Sequence, residues 1–218
     1  MSQQDPLATI SLFAELAVAE QAALYERCLT QVVPKKAVLI TEGDHADSLY
    51  LILSGAVKVY ACDEDGKEVL LNMLGPGEYF GELAIIDEEP RSASVMALQP
   101  CRLLIIKRQD FFACLQRNHT IAISLLQVLA RRLRQQTDHT KNLVLLGVYQ
   151  RVVKLLQELA EEQDGVLVVS GVSQQQLADQ VYASREMITL IMKELKAGGY
   201  IDADRKRIII RKRLPAKW

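Results

Sequence analysis

The residues best suited to chemistry lie in one stretch, Phe80 to Val95, which reads FGELAIIDEEPRSASV. Gly81 permits a tight backbone turn, and the Glu82-Leu83-Ala84 run after it can open a short helix whose free N–H groups point at an anion. Arg91 supplies a planar, permanently charged fork for phosphate oxygens, Ser92 adds a hydroxyl, and Glu82 offers acceptor oxygens to sugar hydroxyls. Together they describe a site for a sugar phosphate carrying one compact negative charge. The competing reading of the same residues is a loop between strands, with Glu82 and Arg91 in a surface ion pair worth about 0–1 kcal/mol.

A second constellation lies near the C-terminus. Ser173, with Gln176 three residues on, forms a capping box that opens a helix through about Val181. Tyr182-Ala183 makes a turn, Ser184 caps a second helix running to about Ala197, and Gly198-Gly199 stops it. Two capped helices across a tight turn make a helix-turn-helix. At about 100° per residue, Met187, Ile188, Ile191, Met192 and Leu195 form the core side of the second helix. Arg185, Glu186, Thr189, Lys193 and Lys196 form the polar side. That side suits the major groove of double-stranded DNA: Arg185 matches guanine O6 and N7, Glu186 accepts from cytosine N4, and Thr189 suits a thymine methyl or a phosphate. Ser173, Gln174 and Ser184, at the helix starts, are further DNA-facing candidates. Lys193, Lys196 and the Arg205-Lys206-Arg207 turn suit phosphate contacts, which set affinity rather than sequence.

Charge agrees with this division. Residues 1–140 carry 13 Lys and Arg against 18 Asp and Glu, a net of −5, whereas 141–218 carry 13 against 9, a net of +4. The basic share therefore lies beside the helix-turn-helix, as a polyanionic partner requires.

The elements that must position these residues are legible in outline. Leu12 to Leu29 has helical spacing. From Val32 to Ile106 short β-branched runs alternate with glycine turns: Ala37 to Ile40, Ser48 to Leu53, Ala56 to Ala61, Glu68 to Leu74, Ser94 to Leu98 and Arg102 to Lys107. Asp65-Gly66 is a hairpin signal, and an antiparallel roll follows with the Phe80 to Arg91 stretch as its long insertion. From His119 onward one helix about 40 Å long is expected. Its seam, Leu126, Leu129, Leu133, Gln136, Thr140 and Leu143, has coiled-coil spacing and predicts a parallel homodimer. Gln136 and Thr140, with Thr137 beside them, are polar in that seam. Either a ligand reaching from the roll hydrogen-bonds them, or they set the register of the pair. A helix from Val148 to about Glu161, a strand at Val166 to Val169 and a two-stranded wing complete the chain.

The fold class is thus α+β, with expected domains at 1–117 (antiparallel β-roll), 118–146 (long dimerisation helix) and 147–218 (winged helix-turn-helix). The four cysteines, at 28, 62, 101 and 114, show neither C-x-x-C pairing nor metal-ligand spacing with the three histidines, and read as mostly buried hydrophobes. No cofactor, metal or catalytic residues are expected, since no nucleophile-base pair or ligand cluster is visible. Neither a membrane-length apolar segment nor a signal pattern is present at the N-terminus given, so a cytoplasmic location is expected.

Three blocks, Glu42-Gly43-Asp44 with Ser48 to Tyr60, Phe80 to Val95, and Ser173 to Tyr200, resemble the CRP/FNR family of bacterial transcription regulators over nearly the whole chain. The cassette is similar to that of the cyclic-AMP-binding branch. The resemblance implies Glu82 on the ribose 2′-hydroxyl, Arg91 and Ser92 on the cyclic phosphate, and the backbone of Leu83 and Ala84 beside them. It also implies a dimer on an imperfect palindrome and RNA polymerase as a partner. Two departures stand out. Gln136-Thr137 occupies the place of a Thr-Ser pair that contacts adenine in that branch, which leaves cyclic GMP or another nucleotide open. Leu190 stands where the family commonly has a third base-reading Arg, so a different operator sequence is expected at that position.

Overall fold

The computed structural model of the protein describes residues 6–66, 68–163, 165–204 and 207–215. The chain divides into two compact units, Met1–Arg132 and Leu133–Trp218.

In the first unit a 3-10 turn (Pro6–Thr9) and α1 (Val18–Tyr25) precede β1 (Leu29–Val33), β2 (Val38–Ile40), β3 (Ser48–Ser54), β4 (Val57–Cys62) and β5 (Glu68–Leu74). β6 (Tyr79–Phe80), α2 (Glu82–Ile86), β7 (Ser94–Ala97), β8 (Cys101–Lys107) and α3 (Arg108–Arg117) follow, then α4 (His119–Leu145) begins. Two antiparallel sheets, ordered β1-β8-β3-β6 and β2-β7-β4-β5, make the roll. β3 (SLYLILS) and β8 (CRLLIIK) are nearly continuous apolar runs because their sheet is covered on both faces. Leu49, Leu51, Leu104 and Ile106 pack with the N-terminal segment, α3 and the start of α4. Ile52 and Leu103 belong instead to the core between the sheets, with Val57, Phe80, Val95 and Ala97. β5 lies at a sheet edge, and its pairing with β4 skips Leu71, a bulge that leaves Leu71 and Met73 exposed.

The second unit holds the C-terminal part of α4, α5 (Val148–Glu158), β9 (Glu161–Gln163), β10 (Val166–Ser170), α6 (Gln174–Val181), α7 (Arg185–Ala197), β11 (Ile201–Asp204) and β12 (Arg207–Ile210). Its sheet is ordered β11-β12-β10-β9 and packs on α5, α6 and α7 through Val152, Leu156, Leu177, Ile188, Ile191 and Ile208. The expected caps are present. Ser173 Oγ accepts from the Gln176 amide at 3.2 Å, the Ser173 amide in turn donates to Gln176 Oε1 at 2.8 Å, and Ser184 Oγ accepts from the Met187 amide at 3.2 Å. Tyr182 takes the left-handed conformation, φ 51°, that closes the turn between α6 and α7.

Several expectations are corrected. β1 and the two-residue β6 are not among the expected strands, and Leu29 was expected to close a helix: β1 carries exposed Leu29 and Val32 with only Val33 buried, so its pattern does not alternate, and β6 is too short for any period. Helix α5 ends at Glu158 rather than Glu161, because Glu161–Gln163 pairs with β10. Met187 is 42% exposed: it lies at the margin of the apolar arc, in the first turn of α7, and only Ile188, Ile191, Met192 and Leu195 are buried. Of the cysteines, only Cys101 is fully buried, whereas Cys62 is exposed.

Tyr79 sits at 1% exposure in the first core, and its hydroxyl has no hydrogen-bond partner among the described residues. Burial, reinforced by the Glu82 charge and opposed by Arg132, pushes the phenol up to about 12 from 10.0. A folded-state value above the unfolded one means that its contribution is complete below pH 10 and is lost as pH rises towards 12. Tyr79→Phe keeps the ring and removes the stranded hydroxyl. It is expected to raise stability at pH 7 by about 1 kcal/mol in urea unfolding and to flatten the alkaline decline. A loss of stability at pH 7 with an unchanged alkaline decline would contradict this.

Candidate functional site

The site is built outward from the turn at Gly81. Its φ of 83° lies in the left-handed region, and a Cβ there would stand 2.5 Å from Arg91 Nη1 and 3.3 Å from the Ser48 carbonyl. That close approach lets Arg91 Nη1 donate to the Gly81 carbonyl at 2.8 Å while Nη2 donates to the Ser48 carbonyl at 2.9 Å. The guanidinium also faces the Tyr50 ring at 5.8 Å, and Tyr50 stacks on Phe80 at 5.1 Å. Arg91 is only 6% exposed, yet no ion pair involves it among the described residues. Burial pushes the guanidinium below its ordinary range, and the nearby Tyr50, Asp47, Glu82 and Asp44 act in the opposite sense.

The Glu42-Gly43-Asp44 block has a local task here. The Gly43 amide donates to the Arg91 carbonyl and the Arg91 amide to the Asp44 carbonyl, both at 2.9 Å, while the Glu42 amide donates to Ser94 Oγ at 3.0 Å. These bonds fix the backbone on both sides of Ser92, which is itself exposed. Leu83 is exposed and Ala84 buried.

Glu82 is 2% exposed, and its partner is Arg132 rather than Arg91, so the surface-pair reading of the cassette fails. Arg132 Nη1 donates to Glu82 Oε1, Nη2 donates to the Tyr79 carbonyl at 2.9 Å, and the guanidinium lies 4.9 Å from the Tyr79 ring. Sequence reasoning missed this residue. The available signal was its place on the stripe of Ile121, Leu125 and Val128, at helical spacing, where a charge is out of keeping with its buried neighbours.

Gln136 and Thr137 belong to the second unit, whereas the cassette residues all lie in the first. Thr137 Oγ1 donates to the Leu133 carbonyl and Thr140 Oγ1 to the Gln136 carbonyl, both at 2.9 Å. The helix itself thus satisfies the two threonines, and no ligand is required to do so. The Gln136 side chain is exposed.

On α7, Arg185, Glu186, Thr189 and Lys193 share the solvent side. Thr189 Oγ1 lies 2.8 Å from Gln174 Oε1 and 2.9 Å from the Arg185 carbonyl, so its one proton is committed within the motif. The hydroxyl oxygens of Ser173 and Ser184 accept the cap bonds, which leaves each O–H able to donate. Behind this surface, the His139 ring meets the Tyr182 ring edge-on at 5.0 Å, and Arg151 donates to the Val181 and Leu146 carbonyls at 3.0 and 2.8 Å. Arg205 and Lys206 lie outside the described residues.

Comparison with known proteins gives two domain matches, a cyclic nucleotide-binding domain over residues 30–118 and a Crp-like helix-turn-helix domain over 150–214. The chain is 32% identical over 209 residues to a CRP-like cAMP-activated global transcriptional regulator of Mycobacterium tuberculosis, covering 94% of this chain and 93% of that protein. It is 34% identical over 188 residues to the cAMP-activated global transcriptional regulator CRP of Pasteurella multocida, covering 84% and 90%. This chain belongs to the CRP/FNR family. Among solved structures, the c-di-GMP responsive regulator CLP of Xanthomonas campestris superposes with a TM-score of 0.77 at 26% identity, over 90% of this chain and 100% of that one. As a CRP-family member the protein is a ligand-responsive transcription regulator, and its two domain matches coincide with the two constellations described above.

The Glu82–Arg132 pair supports the cassette energetically. Arg132→Met strands a buried carboxylate and is expected to lower stability by about 2 kcal/mol, less than for a fully buried pair because Arg132 is part-exposed. Adding Glu82→Gln should restore most of the loss in denaturant titrations; no recovery would show that the pair is not coupled.

Proposed function

We propose that the β-roll binds a cyclic nucleotide, with cyclic AMP the first candidate, and that occupancy controls binding of a homodimer to a palindromic DNA operator. The observation that supports this most directly is Arg91: a buried cation, oriented by two carbonyls and paired with no carboxylate among the described residues. Guanidinium N–H groups beyond the two used by the protein suit the oxygens of a cyclic phosphate, with Ser92 at its edge. Glu82 retains acceptor capacity beyond its bond to Arg132, which suits a ribose 2′-hydroxyl. The cassette backbone at Gly81, Leu83 and Ala84 completes the phosphate end, and Gln136 and Thr137 are assigned to the base.

The names of the relatives at 32–34% identity favour cyclic AMP, and the name of the CLP neighbour makes cyclic di-GMP the competing effector. DNA reading is assigned to Arg185, Glu186 and Thr189, with Lys193, Arg205 and Lys206 on phosphates and Ser173, Gln174 and Ser184 at the helix starts. Exposed Leu126, Leu133 and Val144, at 66%, 69% and 76%, give α4 an apolar stripe of the kind a second copy covers. Contact with RNA polymerase, a cytoplasmic location, and the absence of a catalytic role and of any cofactor besides the effector complete the proposal. No helix among the described residues is long and apolar enough to cross a membrane.

Thermal-shift measurements with cyclic AMP, cyclic GMP and cyclic di-GMP test the effector. One of them is expected to raise the melting temperature, and Arg91→Ala to abolish that rise while leaving the fold intact by circular dichroism. A rise that survives in Arg91→Ala would place the ligand elsewhere. Coupling is reciprocal, so calorimetry should show tighter nucleotide binding in the presence of operator DNA, and equal affinity with and without it would refute the switch. Leu133→Glu is expected to convert dimer to monomer in analytical ultracentrifugation.

A further inference from the structure

The solvent side of α7 is not uniformly polar. Leu190 is 47% exposed and Met187, one turn before it, is 42% exposed, so the two form an apolar flank next to Glu186. Neither is needed by the core, which takes Ile188, Ile191, Met192 and Leu195. The hydroxyl of Thr189, the other uncharged side chain on this face, is committed to Gln174 or to the Arg185 carbonyl. What the helix offers a groove besides the small Thr189 methyl is therefore two charged readers, Arg185 and Glu186, and one larger apolar edge, Leu190 with Met187. The surrounding Arg185, Lys193 and Lys196, and the net +4 of residues 141–218, identify the occupant of that face as DNA. In the major groove the apolar feature that distinguishes one base pair from the others is the thymine C5-methyl group.

We propose that Leu190, flanked by Met187, is a specificity-determining residue that reads a thymine methyl in each operator half-site. This rests on the assignment of α7 as the DNA-reading helix and goes beyond it by naming the chemistry read. Removing one buried methyl from water-excluded contact corresponds to about a fourfold change in affinity. Leu190 is half-exposed and outside the core, so its replacement leaves the fold unaffected.

The test begins with selection of binding sites from a randomised duplex pool by the full-length protein, without nucleotide and with cyclic AMP, cyclic GMP or cyclic di-GMP. The same selection with Leu190→Ala is expected to lose one base preference per half-site, and that base is expected to be thymine in the wild type. Thymine is then replaced by deoxyuridine at that position, which removes only the methyl. The wild type should weaken about fourfold per half-site replaced, and Leu190→Ala should not respond. Equal responses of the two proteins, or a preference at that position for a base other than thymine, would overturn the inference. Arg185→Ala separates it from the reading on which it rests. If Arg185→Ala relaxes sequence preference while deoxyuridine has no effect, only the role of Leu190 fails. If neither change alters binding, the assignment of α7 fails with it.

Discussion

A guanidinium withdrawn from water without a carboxylate to neutralise it is held at a cost, and the first unit is arranged to hold one there. Arg91 is fixed by two carbonyls that converge on it from separate elements, Gly81 at the cassette turn and Ser48 at the start of β3. The convergence needs glycine at 81, because a side chain there would occupy the space of the guanidinium itself. It also needs the backbone of Arg91 in register, which the bonds to Gly43 and Asp44 supply. Lysine could not substitute: one ammonium has no planar fork with which to span two carbonyls and still present N–H groups to an anion. Orientation by carbonyls, rather than by a direct ion pair, leaves the guanidinium influenced by Asp47, Glu82 and Asp44 but bonded to none of them among the described residues, which suits the proposed phosphate contact.

The second charge in the cassette is treated in the opposite way. Glu82 is more deeply buried than Arg91 and is paired at once, through Arg132, to α4. Arg132 also holds the Tyr79 carbonyl and lies over the Tyr79 ring, so strand β6, the cassette turn and the long helix share one set of bonds. A ribose hydroxyl on Glu82 would then join a carboxylate already tied to the last residue of the first unit. On the proposed ribose contact, ligand recognition and the position of α4 up to Arg132 would be linked through one carboxylate.

Most of the architecture could be read in the sequence, because its signals are local. Ser173 and Ser184 with their amide partners three residues on, the Asp65-Gly66 turn, and the short β-branched runs of the roll between glycine turns each depend on a few adjacent residues. What escaped was decided by distant partners. β1 and β6 are strands because β8 and β3 lie beside them, and Glu161–Gln163 is a strand because β10 does. The same holds in the site. Glu82, Arg91 and Gly81 were legible as a cassette, but the exchange of partners, with Glu82 on Arg132 and Arg91 on carbonyls, joins residues 50 and 43 positions apart. No spacing within sixteen residues could show it.

On the proposed assignment of Gln136 and Thr137 to the base, the hydrogen bonds these side chains already make bear on base selectivity. For the polar seam positions a bonding ligand and a register-setting role were both open, and the hydroxyls of Thr137 and Thr140 are each satisfied by the carbonyl four residues earlier. A threonine bonded in this way can still accept, but it presents no free donor. Gln136 is exposed and carries both a donor amide and an acceptor oxygen, so it can match the edge of adenine or of guanine by rotating one torsion. A side chain that can answer either base does not by itself choose between them. Selectivity then depends on what fixes the Gln136 amide, and the neighbouring threonines, whose protons are already donated to α4, can act on it only as acceptors.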